Sequence, residues 1–292
     1  MFKNLITFKL AGEFTRSASD IESRLADFAH APPTGLQSQS QGWLPVGPTG
    51  RLVHSVDQDL LLCLGIEKKV LPASAVKNAV AAKAADLLQE RGFLPGRKLL
   101  RELKDQVLVE MLPKALTTQS STLIRICGQT NLVMIGTSST SRAEAAVEFL
   151  RQMFGSFETR WLDPEISAPA AMHAWLQAGH CSPEGLEIGD CAVLTAPDIE
   201  RATVRFSNHS LAGSAAVQSH LGTKICVSMG LTHREQLSFV LDDRLRLTKL
   251  QLLLDSETGD DEDPVSKFEA DARLWFGAID AAVASIRSDL KF

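Results

Sequence analysis

The chain has 292 residues, a formal net charge of −5 and a 45% hydrophobic composition, enough to bury a sizeable core in one large or two ordinary domains. No uninterrupted apolar run reaches the roughly 18 residues of a membrane span, and the opening "MFKNLITFKLAGEF" alternates apolar with polar positions. A membrane span and a secretory leader are therefore not expected, and the chain reads as a cytoplasmic globular protein. Its five cysteines, odd in number and mostly set in apolar runs such as "LLLCLGI" and "LIRICG", read as reduced thiols.

In chain order, "LITFKL" predicts a strand, and "SASDIESRLADFAH" a helix with Ile21, Leu25 and Phe28 at helical spacing. "APPTGLQSQSQGWLPVGPTG" is rich in Pro, Gly, Ser and Gln and predicts a long irregular connection. "DLLLCLGIEKKVLP" predicts a buried strand. Ser74 is placed to cap a helix through "AVKNAVAAKAADLLQER", Gly92 to end it in a left-handed conformation, and a second helix follows Pro95-Gly96. "TLIRICGQTNLVMIGT" predicts a hairpin turning at Gly128 to Asn131, followed by an amphipathic helix, "SRAEAAVEFLRQMFG", with Ser141 as cap and Gly155 as stop. Further on, "DPEISAPAAMHAWLQAG" predicts a helix, and "CAVLTA" and "RATVRFS" predict strands. A short helical piece ends near Gly222, three strands follow ("TKICVSM", "EQLSFVLDD", "RLRLTKLQLLLD"), and a long helix follows Pro264. The class is α+β with mixed sheets and helices. It divides into an N-terminal region over 1–160 with basic helices and a C-terminal region over 161–292 with antiparallel strands and the terminal helix.

The mean charge conceals an asymmetry. Residues 60–125 hold eleven Lys and Arg against six Asp and Glu, whereas the C-terminal third contains the acidic "DSETGDDED". The cations are Lys68, Lys69, Lys77, Lys83, Arg91, Arg97, Lys98, Arg101, Lys104, Lys114 and Arg125. On a helix starting at Arg97, steps of about 100° put Leu100, Leu103, Val107 and Met111 on one stripe and Arg97, Arg101 and Lys104 together beside it. Two readings stand. The stripe is a solvated face on which Arg101 pairs with Asp105, or it is a surface that contacts phosphates. Phe93 is the one aromatic among residues 60–125, which argues against single-strand binding by base stacking and leaves duplex backbone as the ligand of the second reading.

A search for catalytic chemistry finds little. His173, His180 and Cys181 lie close in sequence, but Gly179 is placed to end the helix before His180, and no CxxC or HExxH occurs. No phosphate loop, dinucleotide fingerprint or GxSxG elbow is present. The pairs Asp242-Asp243 and Asp260-Asp261 read as turn chemistry rather than Mg²⁺ ligands. The residues argue for no enzyme, no metal and no cofactor.

The segments "FKNL", "GWLPVG", "EKKVLP", "LKDQVL" with "LPKAL", and "AEAAVEFLRQMFGSF" together resemble the bacterial recombination-associated RdgC family. The match is close over about the first 160 residues and looser beyond, where "DDRLRLTKLQL" and the terminal helix carry it. The resemblance implies a non-catalytic, nucleoid-associated protein that forms a ring-shaped homodimer, each monomer supplying half the ring. Duplex DNA would pass through it without sequence preference, and RecA-promoted strand exchange would be restrained. It places the Arg97, Arg101 and Lys104 stripe toward the DNA, leaving the other eight cations of the basic segment as further DNA-binding candidates, and it puts Leu116 at a contact between subunits and RecA as a further candidate partner. The chain departs from the family pattern at the short loop over 91–96 and at Thr118 and Gln119, which implies a lower DNA affinity. The competing expectation is a protein–protein regulator whose basic face binds an acidic partner surface, with DNA binding secondary.

Overall fold

The computed structural model describes residues 1–12, 14, 16–198, 202–254 and 263–292. Among these the elements run β1 (Asn4–Leu10), α1 (Ala18–Ala26), β2 (Gln39–Leu44), β3 (Val53–Val56), β4 (Asp59–Lys69), α2 (Ala73–Arg91), α3 (Arg97–Met111), β5 (Thr117–Cys127), β6 (Leu132–Ile135) and α4 (Thr140–Phe154). They continue with β7 (Thr159–Trp161), α5 (Ala168–Ala178), β8 (Leu186–Thr195), β9 (Thr203–Phe206), α6 (Ala215–Leu221), β10 (Ile225–His233), β11 (Leu237–Asp242), β12 (Leu247–Leu252) and α7 (Pro264–Leu290). The α+β class is as read from the sequence.

The chain forms two compact units that are discontinuous in sequence. The first comprises 1–22, 45–62 and 123–292, and the second 23–44 and 63–122. Residue 160 falls inside the first unit, so the division expected there is replaced by this one. The reason is strand pairing: β1 lies antiparallel to β6 and β7 and also to β12, which binds the two ends of the sequence into one body.

In the first unit the order from the C-terminal half of β5 is β5-β6-β1-β12-β11-β10-β8-β9, antiparallel at every step. Period-2 alternation shows in β11, where Leu237, Phe239 and Leu241 are buried and Ser238, Val240 and Asp242 half-buried. Helices α5 and α7 pack on β10. Helix α4 buries Ala143, Ala146, Val147, Phe149, Leu150, Met153 and Phe154. Its cap is Ser139, whose side chain accepts from the Arg142 N–H, two residues before the Ser141 expected; its stop is Gly155 at φ 69°, as expected. Asp242 holds the turn after β11. One carboxylate oxygen accepts from the Arg244 and Arg246 N–H groups at 2.9 and 3.0 Å, and the other accepts from Arg246 Nε at 2.6 Å.

In the second unit the segment read as irregular contains β2. It pairs antiparallel with β4, Gln39 opposite Lys68 through Leu44 opposite Cys63 in the register. Its other edge meets residues 28–30: the Trp43 N–H donates to the Phe28 carbonyl and the His30 N–H to the Trp43 carbonyl, both at 2.9 Å. A Cβ on Gly42 would lie 2.6 Å from His30 Cα, so only glycine lets the chains approach this closely. Helices α2 and α3 pack together as a hairpin.

Candidate nucleic-acid interface

Helix α2 is alanine-rich, and Val76 alone among its residues is buried. High intrinsic propensity, rather than a deep core, accounts for its length. Its N-cap position is Pro72 with no side-chain cap, not the Ser74 expected, and Gly92 ends it at φ 75°, donating to the Leu88 carbonyl at 2.9 Å. Helix α3 buries Leu103 and Val107, while Leu100 is exposed and Met111 half-buried. The apolar stripe is thus narrower than its spacing implied. Leu100 lies about 20° beyond Val107 and about 60° beyond Leu103 around the axis, toward the cations, and is 38% exposed.

Arg97, Arg101 and Lys104 are all exposed, and no ion pair or side-chain hydrogen bond engages them among the described residues. The Arg101–Asp105 pair required by the solvated-face reading is not formed. Lys68, Lys77, Arg91, Lys98 and Lys114 are likewise exposed and unpaired among the described residues. Two of the eleven candidates are engaged within this unit: Lys69 Nζ donates to the Gly35 carbonyl at 2.6 Å, and Lys83 Nζ pairs with Glu110 at 2.6 Å. Leu116 is 83% exposed, although its carbonyl accepts from the Val70 N–H at 2.7 Å.

Arg125 differs from the rest. It sits on β5 in the first unit, 2% exposed, its guanidinium 4.1 Å over the Phe276 ring and bonded to both Asp59 and Asp280. Burial by itself lowers its pKa, but the hydrogen bonds and charges of the two carboxylates more than offset this and hold it above the ordinary value. It is a core cation with its charge neutralised in place and cannot reach a phosphate. The expectation that it binds DNA is corrected accordingly.

The residues searched for catalytic chemistry are also placed. Gly179 ends α5 at φ 76°, His180 is exposed, and among the described residues no group of three or more His, Cys, Asp or Glu side chains is placed to hold a metal ion. Cys63, Cys127, Cys181, Cys191 and Cys226 are all free, and burial pushes Cys127, Cys181 and Cys226 up to about 12. The pair Asp260-Asp261, with most of the acidic "DSETGDDED", lies outside the described residues. No described helix is long and apolar enough to cross a membrane.

A family model described as "Putative exonuclease, RdgC" matches residues 1–291. The chain belongs to the RdgC family. It is 33% identical over 281 residues to the recombination-associated protein RdgC of Cupriavidus pinatubonensis, covering 95% of this chain and 94% of that protein. The RdgC protein of Cupriavidus necator is 31% identical over 292 residues, covering 99% and 97%, and that of Janthinobacterium sp. 29% over 289 residues, covering 98% and 96%. RdgC relatives therefore match along both units, not only over the first 160 residues where the resemblance was plainest. Sequence reasoning missed one prominent feature of the basic unit, the exposed pair Phe93 and Leu94, although "GFLPG" between cations was visible as its signal.

Proposed function

We propose that this chain is a sequence-independent duplex-DNA-binding protein that encircles DNA as a ring-shaped homodimer and restrains RecA-promoted recombination, without catalysing a reaction itself. The observation that carries the reading is the row Arg97, Arg101 and Lys104. Three like charges within one helical face repel one another, and with no carboxylate partner among the described residues they are offset best by an external polyanion. The segment offers no helix N-terminus with the Asn, Gln and Arg pattern that reads base edges, so the contacts are to phosphates and position the protein without selecting a sequence. Exposed Leu116 supplies an apolar contact for a second subunit. Membership of a family whose members are named recombination-associated supports the recombination setting.

The test is binding to two unrelated duplexes at two salt concentrations, with sedimentation mass and RecA strand exchange measured on the same preparation. Similar affinity for both duplexes, steep loss with salt, a dimer mass and slowed exchange are expected. Salt-insensitive binding, a monomer at high concentration, or exchange unaffected at saturating protein would each overturn the corresponding part.

The description of the family model favours a second reading, a nuclease. End-labelled duplex incubated with the protein and Mg²⁺ decides it: intact ends are expected, and time-dependent shortening would establish the nuclease.

A further inference from the structure

The turn joining α2 to α3 carries an apolar pair that its own unit leaves uncovered. Phe93 is 59% and Leu94 72% exposed. The backbone beneath them is held: Gly92 is the left-handed stop of α2, Pro95 is buried, and Gly96, extended at ψ 170°, opens α3. Two adjacent large apolar side chains exposed on this turn, rimmed by cations, form a candidate contact surface.

The flanking charge says what. From Arg91 to Arg101 the chain holds Arg91, Arg97, Lys98 and Arg101 and not one carboxylate, and all four cations are exposed and unpaired among the described residues. The partner must therefore offer negative charge at the rim and an apolar slot at the centre. A duplex offers both, phosphates on each side of a groove and the space between two stacked base pairs. Proteins that kink DNA use Phe and Leu as wedges between base steps, with cations on the neighbouring phosphates.

We propose that Phe93 and Leu94 form a wedge that enters a groove, opens one base step and kinks the duplex, while Arg91, Arg97 and Lys98 hold the phosphates beside it. This rests on the duplex-binding reading above and adds a deformation to it. Burial of the two apolar side chains offsets the lost stacking, so flexible or mismatched steps, which unstack more easily, are preferred sites. Preference then follows deformability rather than base identity.

The test uses the full chain and a variant carrying Phe93→Ser and Leu94→Ser, both exposed positions, with circular dichroism confirming that the variant folds. End-to-end energy transfer on a short duplex reads the bend, and competition between a perfect duplex and one with a central mismatch reads the preference. The wild-type protein should bend the duplex and favour the mismatch by a factor on the order of five. The variant should bind the perfect duplex with an unchanged salt slope but lose both effects. Wild-type binding without bending, or a variant that bends and discriminates as the wild type does, overturns the wedge and leaves duplex binding standing. Failure of the wild type to bind duplex at all removes both. Two other outcomes also overturn it: a variant that keeps the bend but no longer binds phosphatidylglycerol vesicles, which makes the pair a lipid contact, and a variant that becomes monomeric where the wild type is a dimer, which makes it a subunit contact.

Discussion

Arg125 and Asp280 lie 155 residues apart in the chain and meet in the first unit, where Arg125 Nη1 donates to Asp280 Oδ1 at 2.8 Å and Phe276 stacks beneath the guanidinium. Asp59 accepts from the other side, through Nε at 2.8 Å. Three segments distant in sequence are tied through one cation. Arg125→Met leaves two carboxylates without their counter-charge and should cost about 3 kcal/mol or more in urea unfolding. Duplex affinity and its salt slope, measured on the folded variant, should stay as they are. A slope reduced by about one at unchanged stability would instead make Arg125 a phosphate contact.

The α3 row makes the opposite prediction. Arg97, Arg101 and Lys104 are exposed and make no pair among the described residues, so changing all three to Ala should leave stability within about 0.5 kcal/mol. The slope of log affinity against log salt should flatten by roughly three units, each phosphate contact contributing about 0.9. The loss should be equal on unrelated duplexes. An unchanged slope would return the row to a solvated face and move the search to Lys68, Lys77 and Lys114.

Gly42 is expected to tolerate no side chain. The three atoms nearest an added Cβ, His30 Cα, His30 N and the Phe28 carbonyl oxygen at 2.6 to 2.8 Å, all belong to backbone, so no flexible group can yield. Gly42→Ala should cost about 2 kcal/mol in thermal or denaturant unfolding. A variant as stable as the parent would mean that β2 can move away from residues 28–30.

Acid should weaken the first unit through His233. The ring is 0% exposed, with Nε2 3.1 Å from Ser285 Oγ; burial, helped by the Arg234 charge, lowers its pKa below the ordinary value. In the unfolded chain the ring takes a proton near pH 6.5, whereas the folded protein takes it only at lower pH. Stability from this group is therefore complete above about pH 6.5 and is lost as pH falls through the window below it. The urea midpoint should drop between pH 7 and 5, and His233→Gln should shrink that drop. An identical profile in the variant would assign the acid sensitivity elsewhere.

Much was legible in the sequence where the physics is local. The stops at Gly92, Gly155 and Gly179 follow from the ease with which glycine takes positive φ, and the row of cations on α3 from helical geometry alone. The α+β class and the acidic–basic asymmetry needed no coordinates. What tertiary structure alone decided was partnership. β2 is hidden in a Gly-, Ser- and Gln-rich segment because its hydrogen bonds come from β4 and from residues 28–30 rather than from its own propensity. Leu100 has the spacing of a core residue yet is exposed, while Leu103 and Val107 on the same stripe are buried. Lys98 and Arg125 look alike as letters in a basic segment, but one is solvated and the other is sealed between Asp59 and Asp280. Periodicity specifies which way a side chain faces on its own element; whether that face meets water, a carboxylate or another strand depends on other segments of the chain, as far away as the 155 positions that separate Arg125 from Asp280.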